Sequence, residues 1–570
     1  MAEEVWMLQT KKADFKQIGA RFRIDPVTAR IIRNRGIEGE AAIDRYLNGT
    51  LDDLYDPMLL KDMERAVSIL CEAVDTGKKI RIVGDYDIDG VCSTYILLQA
   101  FERLGSDVDF EIPDRIKDGY GINESIIEQA HADGVEVILT CDNGISAFHQ
   151  VELAKKYGMT VVITDHHEVP LDGEKEKIPP ADAVIDPKQA DCPYPFPEIC
   201  GAVVAYKLVQ VLYARRGVPQ MEWLDLLEFA AIATVGDVMK LQDENRILVK
   251  YGLKKMAQTK NLGLRRLAEK NNLDLGAITA YHIGFVIGPC LNAGGRLKTA
   301  KEALALLRAQ SEEEAERLAE ELKELNDTRK DMTEQGTEAA KLQVESWYQK
   351  DKVLVVFLPE CHESLAGIIA GRLREYYQKP AIVLTRGEEA VKGSGRSIDE
   401  YHMFKKLTEV SDLLLKFGGH PLAAGLSLEE KNIDEFRRRL NENAGLTEED
   451  FKAKVWIDVP MPVGYVTERL VRELSCLEPF GQGNEKPLFA EKSLRIRASR
   501  VLGRNRNVVK MTLEETDGRA IEALYFGDGT AFEEERAGRR EIDVVYYPDI
   551  NEYNGRKTLQ AVIRRYKFRG

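Results

Sequence analysis

The chain has 570 residues, which is more than one hydrophobic core usually organises, so its length predicts three or four domains. Hydrophobic residues make up 44% and charged residues 31%, a mixture that excludes a disordered or fibrous protein. The net charge of −15 argues against a protein that coats nucleic acid with a uniformly basic surface, although it leaves room for local basic channels.

Between about residues 79 and 190 the chain repeats a short apolar or β-branched run, then acidic residues, then a stretch with helical periodicity. Strands that alternate with helices predict a doubly wound parallel sheet, whose ligands gather at the carboxyl ends of the strands. The predicted strands are residues 80–83, 135–139, 161–163 and 183–185. The acidic residues that follow them, expected along one rim, are Asp85, Asp142, Asp165 and Asp186.

The next segments predict a helical region and a second, smaller α/β domain. Residues 201–309 are mostly helical in pattern, and residues 311–345 predict one long, charged, solvent-facing helix that connects two domains. The second domain is expected to contain a strand at 353–358, a helix at 364–377, a strand at 381–384 and a glycine-rich turn at 393–396.

After about residue 450 the helical period gives way to alternating runs. Five or six short strands separated by turns predict a small β-barrel of the OB-fold type. The chain contains no GxxxxGK[ST], no GxGxxG after a strand and no HExxH, which argues against an NTPase, a dinucleotide-dependent enzyme and a zincin.

The acidic rim predicts a metal centre. In Asp85-Tyr86-Asp87-Ile88-Asp89-Gly90 three carboxylates follow a strand at alternate positions, and without a cation such a group would repel itself. The triplet at residues 165–167 adds two histidines to the oxygen ligands, a mixture that suits manganese or magnesium better than structural zinc. A single Asp after a strand is commonly a turn or cap residue; four on one rim favour metal binding.

Several motifs resemble those of the DHH phosphoesterases. The order of this family's motifs is matched by DYDIDG, CDNGIS, ITDHHE and Gly236-Asp237. Later segments resemble the RecJ branch of 5′-to-3′ exonucleases acting on single-stranded DNA. These segments are GPCLNAGGR, HESLAGIIAGRL, GSGRS and FGGHPLAAGLS. The resemblance covers most of the chain. The domains that it implies are an N-terminal lead (1–50), a DHH catalytic domain (51–309), a connector helix (310–348), a DHH-associated substrate-binding domain (349–447) and an OB-like DNA-binding domain (448–570).

The resemblance also implies two divalent cations, with Mn²⁺ preferred or Mg²⁺ in its place, and water as the nucleophile. Asp142 is the expected bridge between the ions. Asp165, His166 and His167 are the expected catalytic triplet, in which Asp165 and His167 either orient neighbours or contact the phosphate. The implied metal ligands are Asp85, Asp87, Asp89, Asp142, His166 and Asp237.

Substrate binding is expected at a 5′-phosphate pocket. Arg offers a bidentate fork, Ser a hydroxyl donor and glycine a close approach of backbone N–H groups. For each arginine a surface ion pair is the alternative, and for the histidine a buried structural role. The implied substrate-binding residues are Arg115, Asn292, Arg296, Ser394, Arg396, Gly419 and His420.

The basic run at residues 492–510 is either a solvated face or part of the path of the nucleic acid. Nearby aromatic residues would stack on bases or form the core of the barrel. These aromatic residues are Tyr525, Phe526, Tyr546 and Tyr547.

The leading hypothesis is therefore a metal-dependent exonuclease that releases mononucleotides from the 5′ end of single-stranded DNA in repair and recombination. A phosphodiesterase of short oligonucleotides or cyclic dinucleotides is the alternative, and an inactive DNA-binding scaffold is a third hypothesis that the intact acidic set disfavours. Single-stranded DNA, a helicase and a single-strand-binding protein are the expected partners of a monomer.

Scattered cysteines without a CxxC pair and the lack of a long apolar run predict reduced thiols, no membrane contact and a cytoplasmic location.

Overall fold

The computed structural model describes residues 4–553 and 555–569, and the chain divides into two compact units. The larger unit comprises Tyr55–Met239 and Leu248–Ala453, and the smaller unit comprises Val5–Leu54, Lys240–Ile247 and Lys454–Gly570. Across the described residues no helix is both long enough and apolar enough to cross a bilayer. None of the eight cysteines, all of which lie within the described residues, forms a disulfide bond.

The first sheet of the larger unit has five strands, all parallel, which confirms the predicted architecture. In spatial order they are Val108–Glu111, Ile80–Val83, Val137–Cys141, Thr160–Thr164 and Ala183–Ile185. Their side chains are largely buried on both faces, as expected for a parallel sheet covered by helices. A hairpin of Leu171–Asp172 and Lys175–Glu176 lies outside this sheet.

Helices account for most of the rest of this domain. Those before residue 200 are Met63–Thr76, Ile88–Arg103, Glu124–Ala132 and Phe148–Lys156. Those after it are Gly201–Arg216, Gln220–Leu224, Leu227–Gly236, Asp243–Met256, Leu262–Lys270, Ala280–His282, Gly288–Leu297 and Lys301–Leu307, with a π-helical turn at Ile283–Ile287.

The connector is one helix, Glu312–Gln343, but its predicted solvent-facing character is wrong. Its abundant charges mark only its outer face, while small and apolar residues at helical spacing pack against helices of both α/β domains. The buried residues are Ala315, Leu318, Ala319, Leu322, Asn326, Thr333, Thr337 and Ala340. The connector therefore fixes one domain to the other.

The second sheet of the larger unit is mixed. Its strands, in spatial order, are Leu414–His420, Ala423–Leu428, Val391–Arg396, Ala381–Arg386 and Leu354–Phe357. Its helices are Ala366–Tyr377, Met403–Thr408 and Ile433–Glu442. The predicted glycine-rich turn at 393–396 is wrong: these residues lie in a strand, paired on both sides. A Cβ on Gly393 would lie 2.6 Å from Leu384 Cδ2, so glycine here serves close packing.

The smaller unit contains a closed barrel, in agreement with the predicted OB-like fold. Phe489–Leu502 pairs with both the next strand and Glu541–Tyr553, which closes the sheet. The other strands of the barrel sheet are Val459–Pro460, Val508–Glu514, Ala520–Phe526 and Arg556–Phe568, whereas Glu4–Leu8 and Ala453–Ile457 form a separate two-stranded sheet. The helices are Phe15–Phe22, Pro26–Asn34, Glu40–Asn48, Glu468–Leu474 and Gly529–Arg536. Ile31, Ile32 and Tyr46 of the N-terminal helices are buried in the same core as the barrel.

Candidate metal centre and anion-binding pocket

The loop after Ile80–Val83 turns at once into a helix and thereby gathers its carboxylates. Asp87 caps this helix, since its Oδ1 accepts the backbone N–H groups of Asp89 (2.9 Å) and Gly90 (3.1 Å). A Cβ on Gly90 would lie 2.4 Å from the backbone oxygen of Asp85, so a larger residue would force the turn apart. Three acidic residues are thus placed around one point by local chain geometry.

A second helix N-terminus fixes Asp89. The N–H groups of Gly201 and Ala202 donate to the two carboxylate oxygens of Asp89, each at 2.7 Å. A Cβ on Gly201 would lie 2.7 Å from Cβ of Asp142, so only glycine fits between these two carboxylates. The helix end both holds one acidic residue and makes room for the other.

His166 lies at the centre of the cluster. Its Nε2 is 3.1 Å from Asp142 Oδ1, 3.4 Å from Asp89 Oδ2 and 3.8 Å from Asp237 Oδ2. Asp142 itself adopts a left-handed backbone conformation, with φ of 61°, at the end of its strand. The carboxylates therefore converge on one imidazole.

The structure brings together all six predicted metal ligands. Potential ligand atoms lie within 4.8 Å of one another in three groups, and Asp142 and His166 each belong to two of them. The groups are Asp85, Asp87 and Asp142; Asp89, His166 and Asp237; and Asp142, His166 and His167.

The electrostatics of the cluster fit divalent cations. Burial and the neighbouring carboxylates raise the pKa of Asp85 and Asp142 well above the ordinary value, and they raise the pKa of Asp237 to about 8. Burial lowers the pKa of His166, which favours the neutral imidazole that a metal requires. Among the described residues, Asp142 Oδ1 and His166 Nδ1 are buried without a hydrogen-bond partner. A cation in the cluster would reduce the repulsion and give Asp142 Oδ1 a partner.

Asp165 has a different environment from the other acidic residues. Its oxygens accept the backbone N–H groups of Ile145 (2.9 Å) and His166 (2.8 Å), and Oδ1 lies 2.7 Å from His167 Nδ1. Despite its burial, these partners lower the pKa of Asp165, while the ion pair raises the pKa of His167 to about 9. The hydroxyl of Tyr120 lies 3.0 Å from the same Nδ1 and donates to the backbone oxygen of Asp142. Asp165 thus orients His167.

The fourth acidic strand end does not join the cluster. Asp186 is fully buried, and its Oδ1 accepts the backbone N–H of Lys188 at 2.8 Å. Burial raises the pKa of Asp186 to about 7. Asp186 thus follows the same end of the parallel sheet as the other three, as predicted, but it serves the turn after its strand and belongs to none of the ligand groups.

Arginines from both α/β domains line a cavity of about 340 Å³. Arg296 donates to the backbone oxygen of Ser364 at 3.0 Å, and Arg396 donates to the Ser394 hydroxyl at 3.2 Å. Burial and adjacent arginines lower the pKa of Arg296 to about 10 and also lower the pKa of Arg396. The lining residues are Arg115, Arg296, Glu363, Ser364, Gly367, Ile368, Ser394 and Arg396. Three guanidinium groups and one carboxylate form a site for an anion.

The remaining predicted substrate residues are more dispersed. Asn292 lines a smaller cavity of about 110 Å³ that shares Arg296 with the first. Gly419 and His420 end an exposed strand and do not line either cavity; His420 Nδ1 accepts the N–H of Leu422 at 3.3 Å. Arg296 lies in a helix, Gly288–Leu297, in which a Cβ on Gly295 would lie 2.3 Å from the backbone oxygen of Tyr86.

The sequence did not identify several residues that shape the two sites, because the residues that they contact are distant in the chain. Tyr120 and Gly201 act on residues 142 and 167 from other elements. Gly367 lies in the first turn of the helix facing Ser394 and Arg396, where a Cβ would lie 2.8 Å from the Arg396 guanidinium. Only Tyr120, in the DGYG segment beside the predicted Arg115, offered a local signal.

The smaller unit carries a groove of about 1020 Å³ with basic and aromatic residues. Of the predicted aromatics, Tyr525, Phe526 and Tyr547 line it, whereas Tyr546 is fully buried and donates to the backbone oxygen of Met461. None of the residues 492–510 lines this groove. The cationic residues that do are Arg35, Lys454, Lys486, Arg564 and Arg565.

Comparisons with known proteins place this architecture among nucleases. The chain matches the DHH family N-terminal domain over residues 79–234, the DHHA1 domain over 350–445 and the RecJ OB domain over 457–565. It is 36% identical to the single-stranded-DNA-specific exonuclease RecJ of Bacillus subtilis, over 98% of this chain and 70% of that protein. It is 34% identical to the protein of the same name in Escherichia coli, over 95% of each.

A solved structure extends the likeness to the fold and to the metal. The crystal structure of RecJ in complex with Mn²⁺ from Thermus thermophilus matches with a TM-score of 0.84 at 28% identity, covering 99% of this chain and 79% of that one. Together with the buried acidic cluster, this likeness supports a divalent metal cofactor.

Replacing Gly201 by alanine tests whether the cluster binds metal without removing any ligand. The added methyl group would displace Asp142, so we expect Gly201→Ala to weaken Mn²⁺ binding by roughly 10- to 100-fold in isothermal titration calorimetry. The control is Gly371→Ala, which adds the same methyl group to a helix where nothing lies within 4 Å. Equal Mn²⁺ affinity in both variants would contradict the proposed cluster.

The raised carboxyl pKa values predict that metal stabilises the protein more as the pH rises. An aspartate whose folded pKa is raised from 3.8 to about 8, as in Asp237, makes the metal-free protein lose stability as the pH rises through that interval. Metal relieves this loss, so the Mn²⁺-induced increase in Tm should be larger at pH 8 than at pH 6. Differential scanning calorimetry at both pH values checks this, and Asp237→Asn should reduce the difference. A pH-independent increase would show that the cluster does not bind the ion.

Proposed function

Because the chain belongs to the RecJ family of single-stranded-DNA-specific exonucleases, we propose that it hydrolyses single-stranded DNA from the 5′ end and releases mononucleotides. The observation that carries this proposal is the presence of a buried acidic cluster and an arginine-lined cavity in one compact unit. A chain end carrying a phosphate fits the second site while the adjacent phosphodiester enters the first.

We propose that the cluster holds two divalent cations. Asp85, Asp87 and Asp142 would hold one ion, and Asp89, His166 and Asp237 the other, with Asp142 close enough to His166 to bridge them. The chemistry that bound divalent cations supply in such a cluster is Lewis acidity toward phosphoryl oxygens and activation of water near neutral pH. Mn²⁺ is the proposed preferred ion and Mg²⁺ the alternative.

Side chains next to the cluster would then stabilise the negative charge that the cations leave on the phosphodiester. His167 pairs with Asp165, and this partner raises the pKa of the imidazole to about 9 in the metal-free protein. An imidazolium beside the cluster can donate a hydrogen bond to a phosphodiester oxygen and supply a proton to the leaving oxygen. Tyr120 limits the rotation of this ring through its hydroxyl contact. No side-chain nucleophile is needed.

The arginine-lined cavity would recognise the 5′-phosphate. Arg296 and Arg396 come from different domains and approach the same space, and Ser394 adds a hydroxyl. Gly367 lies in the first turn of a helix beside them, so backbone N–H groups can reach phosphate oxygens closely. The lowered pKa values of both arginines reflect mutual repulsion and burial that a phosphate dianion would relieve.

The groove of the smaller unit would grip the rest of the strand. Trp456 and Phe526 expose their rings along it, and Lys486 Nζ lies 3.7 Å above the Tyr547 ring. Exposed rings next to cations suit single strands, in which bases stack and the backbone is charged. An extended binding groove of this kind favours a long single strand as the substrate over a dinucleotide. A helicase and a single-strand-binding protein remain predicted partners, and a monomer remains the predicted state.

A single assay separates the three hypotheses. With Mn²⁺, we expect mononucleotide release from a long single strand but not from its blunt duplex, and no release without metal. Asp142→Ala should abolish release, because it removes a residue shared by two ligand groups, whereas the control Asp172→Ala changes an exposed acidic residue and should retain it. Preference for a dinucleotide would favour the alternative phosphodiesterase, and binding without cleavage would favour the scaffold.

The end pocket predicts dependence on the terminal phosphate. Arg296→Ala and Arg396→Ala should each lower kcat/KM on 5′-phosphorylated strands by roughly 10- to 100-fold, as expected for loss of a charged hydrogen bond, and should lower it less on 5′-hydroxyl strands. The matched control is Arg386→Ala, which removes an exposed arginine of the same sheet as Arg396. Equal losses on both kinds of end would remove these arginines from the pocket.

A further inference from the structure

Two aromatic rings stack on the surface of the larger unit without contributing to its core. Tyr281 and Phe285 have ring centroids 4.7 Å apart at an interplanar angle of 26°, and they are 63% and 67% exposed. The π-helical turn that carries Phe285 is anchored instead by Ile283 and Ile287, which are fully buried. Such turns occur frequently at functional sites. The exposed pair therefore presents a ready-made apolar face to a ligand.

The position of the pair links it to both sites of the proposed reaction. Gly284, Gly288, Asn292 and Arg296 follow one another at intervals of four residues, and all four line the small cavity next to the anion-binding pocket. Phe285 directly follows the first glycine of this row. The same cavity is lined by Gly236, which precedes the metal ligand Asp237 in the chain.

An exposed apolar side chain also follows Asp237 in the chain. Val238, the residue after Asp237, is 66% exposed and has a left-handed backbone with φ of 58°. Gly284 and Gly288 add no side chain to the wall of this cavity, whereas Asn292 and Arg296 add polar groups that suit a nucleic-acid backbone. A strand with its end at Arg296 would run along this cavity toward Gly284, the neighbour of Phe285 in the chain.

We propose that Tyr281 and Phe285 form a stacking platform for a base on the 3′ side of the scissile phosphodiester. This inference rests on the proposed function, because it takes single-stranded DNA as the ligand. Phe285 precedes Arg296 by eleven residues, or about 16 Å along a helix, so the platform lies a few nucleotides from a 5′-phosphate bound at Arg296. Stacking tolerates any sequence, as an exonuclease requires, and it holds the strand while the terminal nucleotide is removed.

The platform predicts a loss that depends on substrate length. In the double variant Tyr281→Leu, Phe285→Leu, apolar bulk remains but the flat π-face is lost. We expect kcat/KM on a long 5′-phosphorylated single strand to fall roughly tenfold, in line with the loss of one base–aromatic stack, and to change less than about twofold on a 5′-phosphorylated dinucleotide. Tyr281→Phe and Phe285→Tyr retain the rings and should retain activity on both substrates.

A fluorescent base provides a readout that does not need hydrolysis. With 2-aminopurine placed in turn at successive positions from the 5′ end, we expect the unaltered protein to quench one internal position and the Leu variant to lose that quenching. Trp347→Leu is the matched control, since Trp347 is 70% exposed and lies outside the row that leads to Arg296. Its quenching profile should be unchanged.

Two outcomes would overturn the platform: equal losses on the long strand and the dinucleotide, or no loss on either. Calorimetric unfolding of the Leu variant shows whether the fold is intact, and the single variants provide the same comparison where the double variant is destabilised. If the unaltered protein hydrolyses no single strand, the proposed function fails, whereas the quenching profile still decides whether a base stacks at Tyr281 and Phe285.

Discussion

The repulsion among buried carboxylates is the constraint on which the rest of this structure depends. Asp85, Asp89 and Asp142 lie almost fully out of solvent and within a few ångströms of other acidic residues. Several fixed dipoles make this possible: the helix capped by Asp87 and the N-terminus beginning at Gly201 direct N–H groups at the cluster. These dipoles hold the oxygens in place but do not neutralise them, which is why the cluster suits divalent cations.

The arginine-lined cavity is the complement of this cluster. Buried guanidinium groups that lie close together repel one another, as buried carboxylates do. Arg115 lowers the pKa of Arg296, whereas the negative charge of Asp87 raises it. In the proposed function a nucleic-acid end would supply what each site lacks: a terminal phosphate for the arginines, and a phosphodiester that the acidic residues would reach through divalent cations. Because the connector helix packs against both domains, the spacing between the two sites is set by the fold.

The sequence predicted those features that depend on neighbouring residues. The parallel strands and the acidic loops that follow them were recognisable because burial and turn chemistry act within a few residues. The segment 393–396 was mistaken for a turn because glycine permits turns, whereas here it permits close packing between two paired strands. Gly201 and Tyr120 could not be found in this way, since each acts on residues that the fold brings from elsewhere.

The distribution of charge explains how an acidic protein can bind a polyanion. A net charge of −15 repels DNA at long range, and salt screens much of that repulsion at distances beyond about 8 Å. Attraction therefore has to be local, and the proposed binding sites are where cations are concentrated: in the arginine-lined cavity and along the groove that contains Lys486 and Arg564. Elsewhere the negative surface would disfavour contact, so a strand would gain binding energy only where its end or its bases fit. Under the proposed function, recognition by the end and by stacking would need no readout of the base sequence.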